Sequence, residues 1–97
     1  MMHIQYKRLA PSVTMVLVCY NQEKYIKEAV LSVLSQDYSD LKIIISDDCS
    51  KDKTVSIIEE ILETYGGPHE VFFNKNPINQ GLIKHINLVN NLVDTEL

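Results

Sequence analysis

Residues 41–54, LKIIISDDCSKDKT, constrain the fold more than any other part of this chain. Ile43, Ile44 and Ile45 are contiguous and β-branched, so a strand built from them has no polar face and must be covered on both sides. Two carboxylates, Asp47 and Asp48, follow at once. A polar turn through Cys49, Ser50 and Lys51 comes next, and Asp52-Lys53-Thr54 opens a helical pattern. A carboxylate at the end of a buried strand costs several kcal/mol to desolvate unless it is paired or hydrogen-bonded. A strand covered on both faces implies a parallel sheet with helices on either side, and in such sheets ligands bind outside the carboxyl ends of the strands.

The rest of the chain repeats this alternation. Residues 13–19 (VTMVLVC) form an apolar run that reads as a central strand, with Pro11 ahead of it where a missing N–H does no harm and Tyr20-Asn21 closing it. Ile26, Ala29, Val30, Val33 and Leu34 then share one helical stripe, with Asn21 as the expected N-cap and the turn cluster 36–40 (QDYSD) as the stop. After the 41–46 strand, Val55, Ile58, Ile61, Leu62 and Tyr65 mark a second helix, capped by Asp52 and ended by Gly66-Gly67-Pro68. Residues 70–74 (EVFFN) read as a third strand and 76–81 (NPINQG) as a loop. Leu82, Ile86, Val89 and Val93 mark a third helix, and residues 94–97 read as leading toward a fourth strand.

The order β-α-β-α-β-α predicts an α/β fold, a three-layer parallel sheet joined by right-handed crossovers, with a fourth strand and anything beyond it missing. Residues 1–12 read as an N-terminal leader and residues 13–97 as the domain.

Ninety-seven residues allow one domain at most. A net charge of −4 argues against a nucleic-acid partner, which calls for a basic face. No apolar run is long enough to span a bilayer, and residues 1–12 lack the apolar core of a secretory signal. The two cysteines, Cys19 and Cys49, are too few for a disulfide framework and wrongly spaced for zinc. Two reduced thiols in a cytoplasmic protein is the expectation. Because both end strands, whether their sulfurs approach is left open.

Parallel pairing puts all three strand-to-helix loops on one edge of the sheet. They carry Tyr20 and Asn21; Asp47, Asp48 and Ser50; and Asn79 and Gly81. Three helix N-termini arrive with them, an arrangement suited to an anionic ligand. Read as residues alone, Asp48 is a ligand-binding candidate against the alternative of a turn carboxylate, and Asp47 is chiefly loop support. Tyr20 is balanced between stacking on a ligand and edge packing. Asn79 and Gly81 are chiefly turn chemistry. Lys84 and His85 fall on an expected solvated helix face.

With those loops in place the chain resembles the nucleotide-binding half of a family 2 glycosyltransferase of the GT-A type. The resemblance rests on VTMVLVCYN at 13–21, EAVLSVLSQ at 28–36, LKIIISDDCSKDKT at 41–54 and NQG at 79–81. It implies a partial GT-A, Rossmann-like domain over residues 13–97. The implied reaction is transfer of a sugar from a nucleotide-sugar to an acceptor hydroxyl with inversion, in glycan or cell-envelope polysaccharide synthesis. By this resemblance Val18 and Tyr20 flank the base and Asp48 hydrogen-bonds the base edge or ribose. Asp47 and Ser50 support the loop, Asp52 and Thr54 cap the helix, and the Asn79-Gln80-Gly81 turn lets backbone approach the donor. The implied nucleotide-binding set is Val18, Tyr20, Asp47, Asp48, Asn79 and Gly81, with no catalytic or metal-ligating residue assigned.

The chain also departs from the family pattern. A small residue and an arginine commonly follow the N-x-G turn, whereas His85 and Ile86 stand at the corresponding positions, leaving Lys84 or His85 as the substitutes for a diphosphate contact. The family's metal-binding D-x-D and its general base lie after a fourth strand. Magnesium or manganese is therefore expected for the full enzyme with its ligands absent from this chain, and the 97-residue piece is expected to be inactive alone. The implied partners are the nucleotide-sugar and an acceptor glycan or lipid-linked sugar, and the implied location is cytoplasmic, with membrane association in the full protein. The family's fourth strand packs beside the first, so residues 13–19 are expected as an open apolar edge through which copies self-associate.

The alternative reading is a non-catalytic nucleotide-binding or interaction module of Rossmann-like fold. A dinucleotide version lacks G-x-G-x-x-G after the first strand, and a receiver version lacks an acid in residues 73–76. In a purely structural domain the acids would only cap loops.

Overall fold

Burial of the isoleucine run on both faces dictates the layers. The computed structural model describes residues 2–9, 12–38 and 40–96. It contains strands β1 (Met2–Leu9), β2 (Ser12–Cys19), β3 (Leu41–Asp47) and β4 (Glu70–Lys75), and helices α1 (Ile26–Leu34), α2 (Thr54–Thr64) and α3 (Leu82–Glu96). The sheet order is β1-β2-β3-β4. β2, β3 and β4 are parallel, and their carboxyl ends lie level, Cys19 opposite Asp47 and Asp47 opposite Lys75.

Alternate residues of β2 and β3 serve two cores. Met15, Leu17, Cys19, Ile43 and Ile45 face α1 and α2, where Ile26, Val30, Val33, Leu34 and Ile58 are buried against them. Val16, Val18 and Ile44 face the other way and are covered by Leu82, Ile86 and Val89 of α3. Right-handed crossovers that advance a chain steadily across a sheet keep their helices on one face. Here α1 and α2 share a face and α3 lies on the opposite one. The carboxyl ends of β2 and β3 thus lie between helices of both layers, and in open α/β sheets ligands bind outside the carboxyl ends of the strands.

Three expectations need correction. Residues 2–9 are not a leader. They form β1, antiparallel to β2 from Met2↔Cys19 to Leu9↔Ser12, which makes the sheet mixed. The signal was a period-two alternation, Met2, Ile4 and Tyr6 against His3, Gln5 and Lys7. As a result residues 13–19 are not an open edge: β2 is a central strand, its peptide groups paired on both sides, and the edge expected to drive self-association is occupied. Residues 94–96 continue α3 rather than lead to a strand. Pro11, Ser39 and Leu97 lie outside the described residues, as does the side chain of Val93. Among the described residues no helix is long and apolar enough to cross a membrane.

Candidate functional site

The loop after β3 is clamped on both sides by hydrogen bonds. Toward the β2–α1 loop, Asn21 N–H donates to Ser50 Oγ at 2.9 Å and Lys51 N–H to Asn21 Oδ1 at 2.8 Å. Gln22 N–H donates to Thr54 Oγ1 at 2.8 Å and Glu23 N–H to Asp52 Oδ2 at 3.1 Å. Asn21 is therefore a tie between loops and not the cap of α1, which begins five residues later after a turn closed by Tyr25 and Ile26 N–H on the Gln22 carbonyl. Asp52 does serve the start of α2, accepting the Thr54 N–H at 2.9 Å. Burial opposes its charge, but the Thr54 and Glu23 donors outweigh that and hold its carboxyl below the usual value.

The two acids at the end of β3 divide the remaining work. Asp47 is 1% exposed, and its carboxylate accepts the Ser50 N–H at 2.8 Å, the Ser50 hydroxyl and the Cys19 thiol. Burial, with the Asp47 charge beside it, pushes the Cys19 thiol far up, so it stays protonated. Both cysteines are free thiols. Asp48, 2% exposed, reaches the other way. Its Oδ1 accepts Asn76 Nδ2–H at 2.9 Å and Gln80 N–H at 2.8 Å, and its Oδ2 accepts Gly81 N–H at 2.9 Å. Burial works against this charge too, yet those three donors together keep the Asp48 carboxyl below the ordinary carboxylate value. Asn79 Nδ2–H donates to the Asp48 carbonyl at 3.2 Å. Gly81 has a φ of +81°, a conformation natural to glycine, which delivers its N–H to Asp48.

The helix N-termini that converge here are thus partly neutralised from within the chain. Asp52 takes the Thr54 N–H of α2, and Asp48 takes the two N–H groups just ahead of α3. Less of their positive potential is left for an outside anion than the loop count alone implied.

A cleft of about 100 Å³ opens between the end of β2, Asp48 and the start of α3. Of the six residues expected to contact a nucleotide, Val18, Tyr20, Asp48, Asn79 and Gly81 line it, joined by Cys19, Leu82 and His85. Asp47 does not; its oxygens face Ser50 and Cys19 within the loop.

His85 is a correction. Expected on a solvated face, it is 1% exposed, with Nε2 2.6 Å from Ser46 Oγ. It sits three residues after Leu82 and four before Val89, which puts it on the buried stripe of α3, and that spacing was the available signal. Desolvation lowers its pKa, and the charges of Asp48 and Asp47 pull the other way without cancelling that effect. Its Nδ1 is buried with no hydrogen-bond partner, so charging the ring would strand a second N–H donor. Ile86, in place of the expected arginine, packs into the core.

These acids do not suit a divalent metal. Asp47 and Asp48 spend their oxygens on the loops, and among the described residues no three His, Cys, Asp or Glu side chains gather to hold an ion.

Residues 14–97 match the family described as Glycosyl transferase family 2. The chain is 35% identical over 78 residues to an uncharacterized glycosyltransferase of Haemophilus influenzae, covering 80% of this chain and 23% of that protein. It is 32% identical over 75 residues to poly-beta-1,6-N-acetyl-D-glucosamine synthase of Staphylococcus epidermidis, covering 77% of this chain and 17% of the synthase. To the GalNAc(5)-diNAcBac-PP-undecaprenol beta-1,3-glucosyltransferase of Campylobacter jejuni it is 33% identical over 51 residues, 53% of this chain and 16% of the relative. The chain thus spans no more than about a quarter of these relatives' lengths.

Two outcomes follow from this geometry. Cys49 holds a left-handed φ of +63°. That conformation costs a residue with a side chain about 1–2 kcal/mol, against about 0.4–1 kcal/mol for the extra freedom of an unfolded glycine. Cys49→Gly should therefore raise unfolding stability by about 0.5–1 kcal/mol in urea melts. The second outcome concerns pH. His85 binds its proton less readily folded than unfolded, so its contribution is complete above the unfolded value, about 6.5, and is lost as pH falls below it. Asp48, shifted down, loses its contribution only below about pH 4. Urea midpoints should fall between pH 7 and pH 5, and His85→Gln should flatten that fall.

Proposed function

Because the chain belongs to glycosyl transferase family 2, we propose that it is the donor-nucleotide-binding half of an inverting glycosyltransferase. The whole enzyme would move a sugar from a nucleotide-sugar to an acceptor hydroxyl in glycan or cell-envelope polysaccharide synthesis. The observation that carries this reading is the acceptor capacity left on Asp48. A carboxylate offers about four acceptor positions. Asn76 and Gln80 fill both on Oδ1, and Gly81 fills one on Oδ2. The remaining Oδ2 position belongs to a group that lines the cleft, where it can take an N–H from a base edge or an O–H from ribose. Val18 and Leu82 supply apolar walls, and Tyr20 and Asn79 stand at the more exposed end.

The same geometry supports binding, rather than turnover, as the part played by this piece. Asp48 is bound into a loop, and His85 is buried against Ser46, so neither is placed to take a proton from an acceptor hydroxyl. With Ile86 in the core, no guanidinium stands at that position to neutralise a diphosphate; Lys84, exposed on α3, is the adjacent cation. The acceptor is a glycan or a lipid-linked sugar, the latter in keeping with the polyprenol in the name of the Campylobacter relative. The site faces the cytoplasm, with membrane association belonging to the whole protein.

Calorimetric titration of the 97-residue chain with UDP, GDP and NAD tests this reading. A nucleoside diphosphate should bind and NAD should not. Asp48→Asn, which exchanges a charged acceptor for a neutral one, should weaken binding about tenfold or more. The chain alone should release no nucleoside diphosphate from a nucleotide-sugar in the presence of acceptor. Failure of every nucleotide to bind at about 1 mM would return the chain to the class of non-catalytic interaction modules.

A further inference from the structure

We propose that Asn74, on β4, is a positioning residue for the ligand: it fixes the direction of a buried hydrogen-bond chain and so sets which hydrogens Asp48 and His85 carry toward their partners. The proposal rests on the donor-site reading above and adds a residue to it. The chain runs His85–Ser46–Asn74–Asn76–Asp48, from α3 across β3 and β4 and back to the end of β3. Ser46 and Asn74 are register partners on neighbouring strands. Asn74 Nδ2 lies 3.0 Å from Ser46 Oγ and 3.0 Å from Asn76 Oδ1. Asn76 Nδ2 lies 2.9 Å from Asp48 Oδ1, and Ser46 Oγ lies 2.6 Å from His85 Nε2. Asp48 and His85 line the cleft, and the three residues that join them do not.

Donor and acceptor types allow this chain one direction. An ionised carboxylate only accepts. Asp48 already takes the N–H groups of Gln80 and Gly81, so Asn76 must turn its NH2 toward it. The Asn76 carbonyl oxygen then faces Asn74, which must turn its own NH2 that way; its two hydrogens serve Asn76 Oδ1 and Ser46 Oγ. Ser46 Oγ, accepting from Asn74, gives its single hydrogen to His85 Nε2. A neutral ring that accepts at Nε2 carries its proton at Nδ1. The opposite arrangement, with Nε2–H donating to Ser46, would leave both the Ser46 hydroxyl hydrogen and the Nδ1 lone pair buried and unpaired, whereas this one leaves Nδ1–H alone. Asn74 is the junction of the chain, with one hydrogen orienting each branch. Through Asn76 it keeps a donor on Asp48 Oδ1, so that the open acceptor position stays on Oδ2. Through Ser46 it holds His85 as the Nδ1–H tautomer.

The test records long-range proton–nitrogen NMR spectra of His85 at about pH 8, above the ordinary histidine value of about 6.5. It also titrates UDP and GDP by calorimetry. Both are done on the wild-type chain, Asn74→Asp and Asn74→Leu, each checked for a cooperative urea melt. Wild-type His85 should show a hydrogen-bearing Nδ1 and a bare Nε2. In Asn74→Asp the new carboxylate takes the Ser46 hydroxyl hydrogen, so the ring should switch to a bare Nδ1 and a hydrogen-bearing Nε2. Lost packing at position 74 would not produce that change on α3. Both variants should bind the nucleoside diphosphate about fivefold more weakly or worse with Asp48 and His85 intact, and Asn74→Leu should do so with no added charge. A wild type with its hydrogen at Nε2, an Asn74→Asp ring that keeps Nδ1–H, or folded variants with unchanged affinity would overturn the role of Asn74 and leave the donor site standing. If no nucleoside diphosphate binds the wild type, the donor-site reading falls, and the positioning role falls with it whatever the ring shows.

Discussion

A single buried carboxylate, Asp48, holds the two halves of the site together. It lies at the end of β3, out of water, where an unpaired charge would cost several kcal/mol. That cost is offset by the Asn76 side chain and the backbone N–H groups of Gln80 and Gly81. Charge-assisted bonds of this kind are about twice as strong as neutral ones. The consequence is mechanical: α3, the helix covering the second face of the sheet, is started from a point dictated by β3.

Asp47 and Asp52 extend the same logic to the other side of the loop. Asp47 folds the turn onto Ser50, and Ser50 and Thr54 then accept N–H groups from Asn21 and Gln22. The segment 47–54 is therefore braced between the β2–α1 loop on one side and the loop ahead of α3 on the other. Three carboxylates within six residues, which by sequence could be a metal site or a catalytic pair, are here three hydrogen-bond anchors. Only Asp48 keeps an acceptor position at the cleft. The left-handed backbone at Asn21 and Cys49 is what this bracing holds in place.

Most of the sheet and all three helices could be read from the chain, because apolar runs and helical stripes report burial directly. β2, β3, β4 and the stripes of α1 and α2 are where the periodicity puts them. β1 is less legible for a physical reason. Its alternation of Met2, Ile4 and Tyr6 with polar residues is the pattern of a strand half exposed at an edge, and it is easily taken for a charged tail. His85 is less legible because its polar identity masks its position on the apolar stripe; its partner, Ser46, is 39 residues away, and no local pattern announces such a pair. Asn21 had the composition of a cap, but its side chain found the Lys51 amide before any helix began. Long-range hydrogen bonds of this kind set the site, and they are the part of the structure that sequence periodicity does not encode.

The most direct measurement of the central claim is amide hydrogen exchange at Gln80 and Gly81. Both N–H groups precede α3 and take no part in its helical ladder; Asp48 accepts both, and Asn79 Oδ1 shares the Gly81 N–H at 3.1 Å, so Gln80 is the amide that reports on Asp48 most directly. Slow exchange at both positions in the wild type, lost at Gln80 and weakened at Gly81 in Asp48→Ala while the β3 amides remain protected, is the result this account predicts. Rapid exchange of both amides in the wild type, or protection unchanged in the folded Asp48→Ala variant, would contradict it.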